Sequence, residues 1–327
     1  RRPPRSTLFP YTTLFRLKES WSKRQNNQIW GFLTKGEVFM KKIAIIGGSG
    51  FVGTYMQPFF KAKGFDVVSL GREDMRKESA EIAKMFEGAD ILINLAGAPI
   101  IRRWSESYKK VLYESRILTT RKVVEAMRQM QKKPELFIST SAIGIYATDG
   151  PMSESDYIYG DNFLAKICKD WEAEAEQADD LTRVVIFRFG VVLGKGGGAL
   201  SKMLPSFKLG IAGTIGDGSE PFSWVHIDDL LNAYLFIFSD VEMKGTFNLC
   251  SPHPVTNREL TKTLGKILHR PTVIPLPKFV LRFLFSEGAT VLTEGQRVVP
   301  ERLLKAGFEF KHSAIEEALR EVLDKPE

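Results

Sequence analysis

One glycine-rich turn constrains the fold of this chain more than any other feature of its sequence. Gly47, Gly50 and Gly53 recur at every third residue directly after Lys42–Ile46, a β-branched apolar run typical of a strand buried on both faces. Residues 52–63 then repeat their apolar positions with the period of a helix, which ends at the next glycine. This order predicts a dinucleotide-binding βαβ unit, because the glycine turn lets the backbone approach a pyrophosphate and the helix N-terminus offers it free N–H groups. The alternative is a glycine turn that binds nothing.

Two further segments extend the predicted cofactor site. The second predicted strand, residues 66–70, is followed by Arg72, and the acids Glu73 and Asp74 come only after it. An arginine at this point accommodates the 2′-phosphate of NADP, whereas an acid would bind the ribose 2′-hydroxyl of NAD, so NADP(H) is favoured over NAD(H); a solvated surface arginine is the alternative. The third strand, residues 90–95, leads into small residues that let a cofactor lie against the backbone. The predicted cofactor contacts are Gly47, Ser49, Gly50, Phe51, Val52, Gly53, Arg72, Leu95, Ala96 and Gly97.

Strands and helices alternate along the rest of the chain. Ser105 is predicted to cap a long helix that runs to about residue 130, and a second helix is predicted over residues 164–178. Further strands are predicted at residues 135–139, 183–189 and 246–249. This alternation predicts an α/β fold with a doubly wound parallel sheet of the Rossmann type and a small C-terminal lobe. Right-handed crossovers would place ligands beyond the carboxyl ends of the strands.

The composition divides the chain into segments. Residues 1–40 hold eight Lys or Arg and two Glu, so most of the formal net charge of +7 lies there. Residues 1–39 have no helical amphipathicity and residues 1–16 look like translated adapter sequence, so residues 1–39 are predicted to be a non-native or disordered extension before an initiator Met40; an organellar transit peptide, suggested by the Arg and Ser/Thr content, is the alternative. Residues 40–250 are predicted to form an NAD(P)-binding Rossmann domain, with mobile pocket loops at the glycine-rich residues 194–220, and residues 251–327 the small lobe.

Several function classes are disfavoured by composition. Because the chain after residue 40 is nearly neutral, charge makes no case for nucleic acid or a membrane surface as partner. No apolar run approaches the roughly 18 residues that a membrane span needs. The two cysteines indicate a reducing compartment, predicted to be the cytoplasm, and the four dispersed histidines predict no metal site. The expected partner is a small-molecule substrate, and the expected assembly is a monomer or homodimer.

Four strings of residues resemble the short-chain dehydrogenase/reductase superfamily of extended or atypical type. They are the glycine motif at residues 47–53, Asn-Leu-Ala-Gly at 94–97, Ser-Thr-Ser-Ala at 139–142 and Trp-Val-His-Ile-Asp-Asp at 224–229. Within that superfamily, Arg-Trp-Ser-Glu at 103–106 and Gly-Gln-Arg-Val-Val-Pro at 295–300 look like the epimerase family, the nucleoside-diphosphate-sugar epimerase-like proteins. The resemblance covers about residues 41–325, including the family's C-terminal module.

The catalytic residues that the resemblance implies are only partly present. Superfamily reductases use a Ser together with Tyr-x-x-x-Lys on one helix, where the Lys lowers the Tyr pKa and the Tyr transfers a proton. Ser141 matches the serine and Lys166 lies on the matching helix, but none of the eight tyrosines has a Lys four residues later. Tyr146 or Tyr159 would have to approach from a loop, although packing or substrate stacking is the commoner role of a tyrosine. Lys166 would bind the cofactor ribose or be a solvated helix residue.

Two residues are predicted to contact substrate. Arg116 is expected to be buried mid-helix and to hold a substrate phosphate by paired hydrogen bonds; surface solvation or structural ion pairing is the alternative. His226 is the second, although it is also expected to brace the pocket or the late helix together with Asp228. The resemblance implies an NADP-binding oxidoreductase or epimerase-like protein that acts on a carbonyl or carbinol, with nucleotide sugars as the analogous substrates. The missing Tyr-Lys pair favours the alternative, a non-catalytic NADP-liganded regulatory or assembly protein.

Overall fold

A computed structural model describes residues 41–324, and a parallel sheet forms the centre of this region. The strands in chain order are β1 (Lys42–Ile46), β2 (Asp66–Leu70), β3 (Ile91–Asn94), β4 (Leu136–Ala142), β5 (Pro151–Met152), β6 (Arg183–Phe189), β7 (Val191–Leu193), β8 (Pro221–Phe222), β9 (Trp224–His226), β10 (Gly245–Leu249), β11 (Val255–Thr256) and β12 (Arg297–Val298). The predicted extension at residues 1–39 and the initiator Met40 lie outside the described residues.

Within residues 41–324, six strands pair in parallel in the order β10-β6-β4-β3-β1-β2. The chain places β2 on one side of β1 and then returns to place β3, β4, β6 and β10 successively on the other side. The change of direction between β1 and β3 opens a crevice at their carboxyl ends, which is where doubly wound folds bind ligands.

The helices cover both faces of this sheet. In chain order they are α1 (Phe51–Ala62), α2 (Ser79–Phe86), α3 (Glu106–Glu114), α4 (Ile117–Gln129), α5 (Phe163–Glu176), α6 (Gly198–Lys208), α7 (Ile227–Ser239), α8 (Asn257–Leu268), α9 (Lys278–Phe285), α10 (Thr290–Thr293), α11 (Glu301–Lys305) and α12 (Ile315–Asp324). Single 3₁₀ turns lie at Asp74–Arg76, Ile143–Ile145 and Ser286–Ala289. Among the described residues, no helix combines the length and the apolarity that a membrane crossing requires.

Alternate residues of β1 enter two separate hydrophobic cores. Ile43 and Ile45 are buried in the core beneath α1 and α7, whereas Ala44 and Ile46 are buried in the core beneath α2 and α4. Successive side chains of a strand point to opposite faces, and both faces of this sheet are covered, so β1 has to be apolar throughout. The predicted α/β fold with a doubly wound parallel sheet is confirmed.

The long helix predicted from Ser105 to about residue 130 is wrong in one respect. Ser105 does cap a helix, since its side chain accepts the N–H of Tyr108 at 3.1 Å, but α3 ends at Glu114 and α4 begins at Ile117. The break binds a neighbouring segment, because Ser115 Oγ accepts the N–H of Ala98 at 3.0 Å. The apolar stripe continues across the break, so the sequence period alone does not reveal it.

The glycine-rich segment predicted as loops contains a helix, α6, over residues 198–208. Its glycines have a packing reason, because side-chain carbons on Gly194, Gly197 or Gly198 would run into the ring of Phe51. Gly198 also has a positive φ of 64°, which favours glycine. The hydroxyl of Tyr55 on α1 donates to the carbonyl of Lys195 at 2.8 Å and ties the segment to α1. The mobility of the segment stays a prediction.

After β10 the chain forms short helices and loops that pack back onto the earlier elements. Leu264 of α8 and Leu319 of α12 are fully buried in a third core together with Trp224 of β9. Two short strand pairs, β11 with β8 and β12 with β5, join this part to the preceding chain. The predicted domain boundary near residue 250 stays a prediction.

Candidate functional site

The glycine turn lies tightly packed at the carboxyl end of β1. Gly47 has a φ of 80°, and a side-chain carbon there would lie 3.1 Å from the carbonyl of Leu95 and the N atom of Ala96. Gly50 donates its N–H to the carbonyl of Gly47 at 3.0 Å and closes the turn. A side-chain carbon on Gly53 would overlap the backbone of Gly48. The first and third glycines of the motif are therefore required by close approach of backbone to backbone.

The middle glycine opens the turn toward solvent. Gly50 is the exposed N-cap residue of α1, and a side-chain carbon there would meet only the carbonyl of Gly47, at 3.2 Å. The first turn of α1, residues 51–54, carries no acid. The partial positive charge of this helix end is thus not neutralised by its own first turn, which is the arrangement that binds phosphate groups.

The end of β3 forms the opposite wall of this crevice. Asn94 is fully buried, its amide donates to Thr120 Oγ1 at 2.8 Å, and its Oδ1 accepts the N–H of Ala96 at 3.1 Å. These bonds hold the turn that contains Leu95 and Gly97. A side-chain carbon on Gly97 would lie 3.1 Å from the guanidinium of Arg116.

The carboxyl end of β2 presents an arginine beside two engaged acids. Arg72 is exposed. Asp74 Oδ2 accepts the N–H of Gly71 at 2.9 Å, and this backbone hydrogen bond, with help from Lys77, lowers the pKa of Asp74. Glu73 pairs with Arg76 at 2.7 Å on the surface. Both acids that follow the strand already have partners, so Arg72 is the group of this segment best suited to meet a ligand anion.

Arg116 lies behind the β3 turn rather than in mid-helix as predicted. It is the residue before α4, and its guanidinium donates to the carbonyls of Leu112 at 3.1 Å and Ala98 at 3.0 Å. The guanidinium also lies 5.4 Å from the ring centroid of Trp171. Two of its donors are therefore committed to backbone, and its contact with a substrate phosphate stays a prediction.

Ser141 belongs to a buried network at the end of β4. Its hydroxyl donates to Glu172 Oε1 at 2.6 Å, and Glu172 holds Arg188 through two hydrogen bonds of 2.8 and 2.6 Å. Arg188 donates to the hydroxyl of Tyr146 at 2.7 Å, which in turn donates to Asn248 Oδ1 at 2.7 Å. All five side chains are less than a tenth exposed. The sequence candidates Ser141 and Tyr146 are thus brought into one network.

The protons of this network are already committed. Burial raises the pKa of Tyr146 to about 12, although the Arg188 charge opposes the shift. The phenol is therefore neutral at physiological pH, and its single proton is donated to Asn248. Ser141 likewise donates its only proton to Glu172 and keeps lone pairs that accept hydrogen bonds.

The face of α5 that meets the end of β4 carries no Tyr-Lys pair within the described residues. Leu164 packs beside Gly144, and Cys168, one helical turn later, lies fully buried against Ser141 and Ala142. These two residues have the four-residue spacing of the superfamily motif but neither titrates near neutral pH, because burial raises the pKa of Cys168 to about 12. Lys166 lies on another face, where it is exposed and pairs with Asp170 at 2.7 Å.

Tyr159 lies outside the buried network. It is 42% exposed, its hydroxyl donates to that of Tyr157 at 3.3 Å, and Lys169 lies 5.0 Å from its ring centroid. Tyr157 and Tyr159 line a cavity of about 240 Å³ whose other lining residues are Glu154, Glu172, Glu176, Arg188, Thr246 and Arg302. Because Glu172 reaches both this cavity and Ser141, the network extends from the strand end to a polar opening.

His226 caps α7, as the sequence predicts when it assigns this residue to brace the late helix. Its Nδ1 accepts the N–H of Asp228 at 3.1 Å, and its side chain is fully buried. Contact between His226 and a substrate stays a prediction, and this burial does not favour it.

Comparison with known proteins agrees with the sheet, the glycine turn and the C-terminal elements. The NAD dependent epimerase/dehydratase family matches residues 43–250, and a domain of unknown function, DUF1731, matches residues 276–322. The chain belongs to the NAD dependent epimerase/dehydratase family. Its predicted resemblance to epimerase-type short-chain dehydrogenases is thereby confirmed.

Individual family members match most of the chain. The chloroplastic epimerase family protein SDR39U1 homolog of Arabidopsis thaliana is 36% identical over 299 residues, which is 86% of this chain and 86% of that protein. An epimerase family protein of Staphylococcus aureus is 34% identical over 301 residues, which is 88% of this chain and all of that protein. The crystal structure of human epimerase family protein SDR39U1 with NADPH superposes with a TM-score of 0.80 at 31% identity and covers 87% of this chain and all of the human one.

The sequence did not reveal the residues that hold the candidate site residues in place through hydrogen bonds. Thr120 accepts hydrogen bonds from both Asn94 and Trp171, Glu172 joins Ser141 to Arg188, and Asn248 ends the network. One signal was available, because an acid at the interior of an apolar helix face, as Glu172 is on α5, predicts a buried partner. Thr120 and Asn248 had no comparable signal, since their partners lie far away in the chain.

Proposed function

We propose that this epimerase/dehydratase family member is an NADP(H)-binding oxidoreductase or epimerase-like protein that acts on a carbonyl or carbinol of a small molecule. The supporting observation is the cradle at the carboxyl ends of β1 and β2. It consists of a close-packed glycine turn, a helix N-terminus without an acid in its first turn, and Arg72 beside two acids that already have partners. NADPH in the human relative is consistent with this cofactor.

The residues present fit the cofactor. The turn from Gly47 to Gly53 and the N–H groups of α1 would hold the pyrophosphate, since side chains at the outer two glycines would fill the space that the backbone uses. Arg72 would hold the 2′-phosphate, and residues 95–97 would form the opposite wall. The bound cofactor supplies or accepts a hydride.

Ser141 would orient a hydroxyl group of the substrate. Its single proton goes to Glu172, a carboxylate held by Arg188, so toward a ligand at the strand end Ser141 offers only lone pairs. A carbinol can donate to it, whereas a carbonyl cannot. This direction of hydrogen bonding favours a hydroxyl-bearing substrate; a nucleotide sugar is the analogous class, with Arg116 as the proposed phosphate contact.

The test is a titration of the full chain with NADPH and NADH, followed by a screen of alcohols and carbonyl compounds for cofactor reduction or oxidation. The matched variants are Gly50→Asp and Gly50→Asn, which add nearly the same volume at an exposed, extended position and meet the carbonyl of Gly47 equally. The aspartate should weaken NADPH binding at least about tenfold more than the asparagine, because only its charge repels the pyrophosphate. Equal affinity of the two variants, or no binding by the unsubstituted chain, would contradict the proposal.

A second candidate function rests on one specific observation. Leu164 and Cys168 occupy the two α5 positions, one helical turn apart, that lie beside the end of β4, so neither position supplies a group that transfers a proton near neutral pH. This favours a regulatory or assembly protein that holds NADP(H) without turning over a substrate. Tight NADPH binding with no turnover across alcohols, aldehydes, ketones and nucleotide sugars would support it. A monomeric or homodimeric state and a cytoplasmic location stay predictions.

A further inference from the structure

Two histidines that are far apart in the sequence meet at the N-terminus of α7. The ring centroids of His226 and His312 lie 4.0 Å apart. Asp228 Oδ2 lies 3.9 Å from His226 Nδ1 and 3.8 Å from His312 Nε2. Both histidines are less than a tenth exposed, whereas Asp228 remains 29% exposed. Two buried imidazoles and a partly exposed carboxylate therefore converge at this point.

The surroundings of His312 are typical of a site that binds a ligand. Both ring nitrogens of His312 are buried without a hydrogen-bond partner among the described residues. The backbone is nevertheless held firmly, because Asp229 accepts the N–H groups of Lys311 at 2.7 Å and His312 at 2.9 Å. Buried polar atoms normally have partners, and the absence of one costs free energy that a bound group would remove.

We propose that His226, Asp228 and His312 bind a divalent transition-metal ion, with zinc as the ion of best match. Imidazole nitrogen and carboxylate oxygen are zinc ligands, and a tetrahedral site with bonds of about 2.0 Å places neighbouring ligand atoms about 3.3 Å apart. The three ligand atoms lie within 4.8 Å of one another, so small side-chain movements complete the site. The exposed side of Asp228 leaves the remaining position to water.

Glu317 would supply the outer support that such sites use, once a small movement brings its carboxylate within hydrogen-bond distance of His312. Its Oε1 lies 3.9 Å from His312 Nδ1, on the side of the ring away from the Nε2 that faces Asp228. A carboxylate near Nδ1 favours a proton there, which leaves the Nε2 lone pair directed to the ion. Magnesium and calcium match less well, because they prefer an all-oxygen shell.

The ion would compete with the cap of α7. His226 Nδ1 accepts the N–H of Asp228 at 3.1 Å, so ligation through Nδ1 requires the ring to turn and the metal bond to replace this hydrogen bond. The helix N-terminus also carries partial positive charge, which Asp228 and Asp229 in the first turn offset. Binding of a metal ion should therefore break the hydrogen bond of the Asp228 backbone N–H and change its environment.

A metal ion bound here would cross-link two parts of the chain. His226 and Asp228 lie in the region that matches the epimerase/dehydratase family, and His312 lies in the region that matches DUF1731. A shared ion would hold the C-terminal elements against α7. This role is independent of the proposed function, because it involves none of the proposed cofactor contacts.

The test uses the full chain freed of metal by a chelator. Zinc binding is measured by calorimetry, cobalt binding by visible absorption, and the Asp228 amide by NMR. We expect one equivalent of zinc, an increase of Tm with zinc concentration and a shift of the Asp228 amide signal. The variants Asp228→Asn and His312→Gln should each weaken zinc binding at least about tenfold.

The matched control is His253→Gln, which removes an exposed histidine outside the cluster and should leave zinc affinity unchanged. Asp228→Asn keeps the backbone N–H that His226 accepts, so it reports on the site even where His312→Gln fails to fold. No stoichiometric zinc binding by the unsubstituted chain would overturn the proposal. Zinc affinity in Asp228→Asn equal to that of His253→Gln would overturn it too, because the metal would then bind elsewhere.

Discussion

The two sides of the crevice at the carboxyl ends of the strands differ in what they are made of. Around β1, the site consists of backbone: Gly47 and Gly53 are held by close packing, and Gly50 leaves the N-terminus of α1 open. Around β4, it consists of side chains whose protons and charges satisfy one another, from Ser141 to Asn248. The first side carries the glycine motif of the superfamily, while the second has Leu164 and Cys168 instead of a Tyr-Lys pair.

This difference indicates that a pyrophosphate site and a proton-transfer group depend on different parts of the fold. A pyrophosphate site needs backbone N–H groups and a helix end, both of which any glycine turn of this shape supplies. Proton transfer needs a titratable group with a suitable pKa at one position. A chain can therefore retain the cradle while it loses or relocates the acid. The following substitutions test whether the two sides behave differently, in order of decreasing expected effect.

The largest effect is expected for Glu172→Gln on the β4 side. Arg188 would remain buried without its carboxylate, and breaking a buried ion pair on one side costs about 3–5 kcal/mol of unfolding free energy. Chemical denaturation measures the loss. The control is Glu176→Gln, one turn along α5 and lining the same cavity, which should cost less than about 1 kcal/mol. Similar losses in the two variants would show that the network does not organise this side.

On the β1 side, Arg72→Ala should change cofactor selectivity without changing stability. Loss of a guanidinium–phosphate contact should weaken NADPH binding about 10–100-fold, or about 1.4–2.8 kcal/mol, and leave NADH binding unchanged. Parallel fluorescence titrations with the two cofactors provide the ratio. Arg76→Ala is the control, because this nearby exposed arginine pairs with Glu73 instead. An equal fall in affinity for NADPH and NADH would show that Arg72 does not bind the 2′-phosphate.

The two candidate tyrosines should respond differently to removal of their hydroxyls. Tyr146→Phe leaves Arg188 and Asn248 without a shared partner and should cost about 1–3 kcal/mol of stability. Tyr159→Phe should cost less than about 0.5 kcal/mol, because Tyr159 is partly exposed. Once a turnover assay exists, a fall of kcat by about 100-fold in Tyr159→Phe alone would identify Tyr159 as the proton donor.

The smallest effect concerns the pH dependence of stability. Burial raises the pKa of Tyr146 to about 12, so the folded state keeps its proton where an unfolded tyrosine, with a pKa near 10, has lost it. The stabilisation is complete below about pH 10 and is lost as the pH rises toward about 12. Between about pH 9 and about pH 11, the unsubstituted chain should lose about 1 kcal/mol more than Tyr146→Phe. Parallel denaturation curves at the two pH values check this, and identical pH slopes would contradict it.

The sequence predicted the backbone of the β1 side well because its determinants are local, while the cofactor contacts assigned to this side stay predictions. A β-branched strand, three glycines and a helical period lie within about twenty consecutive residues, and each limits the backbone of its neighbours. Arg72 was likewise predicted to contact the cofactor because it follows directly after a predicted strand. The predicted sheet and the order of its elements followed from the same short-range alternation of strand and helix.

The β4 side was predicted poorly because its determinants are contacts between distant segments. Lys166 was chosen by its helix, but packing turns Leu164 and Cys168 to the strand end and leaves Lys166 in solvent. Arg116 was placed in mid-helix because the apolar stripe continues, whereas its bond to Ala98 accompanies a break there. No sequence spacing relates Ser141 to Glu172 or Asn248.

Short-range patterns were enough to predict the α/β fold class, the glycine turn and the candidate cofactor contacts around it, since hydrophobic period and glycine conformational freedom act between near neighbours along the chain. Only the folded chain shows which side chains face one another: Ser141 with Glu172, Tyr146 with Arg188, and His226 with His312. These pairs depend on how strands and helices are packed together, because a buried polar group is satisfied by whatever partner the folded chain brings within reach.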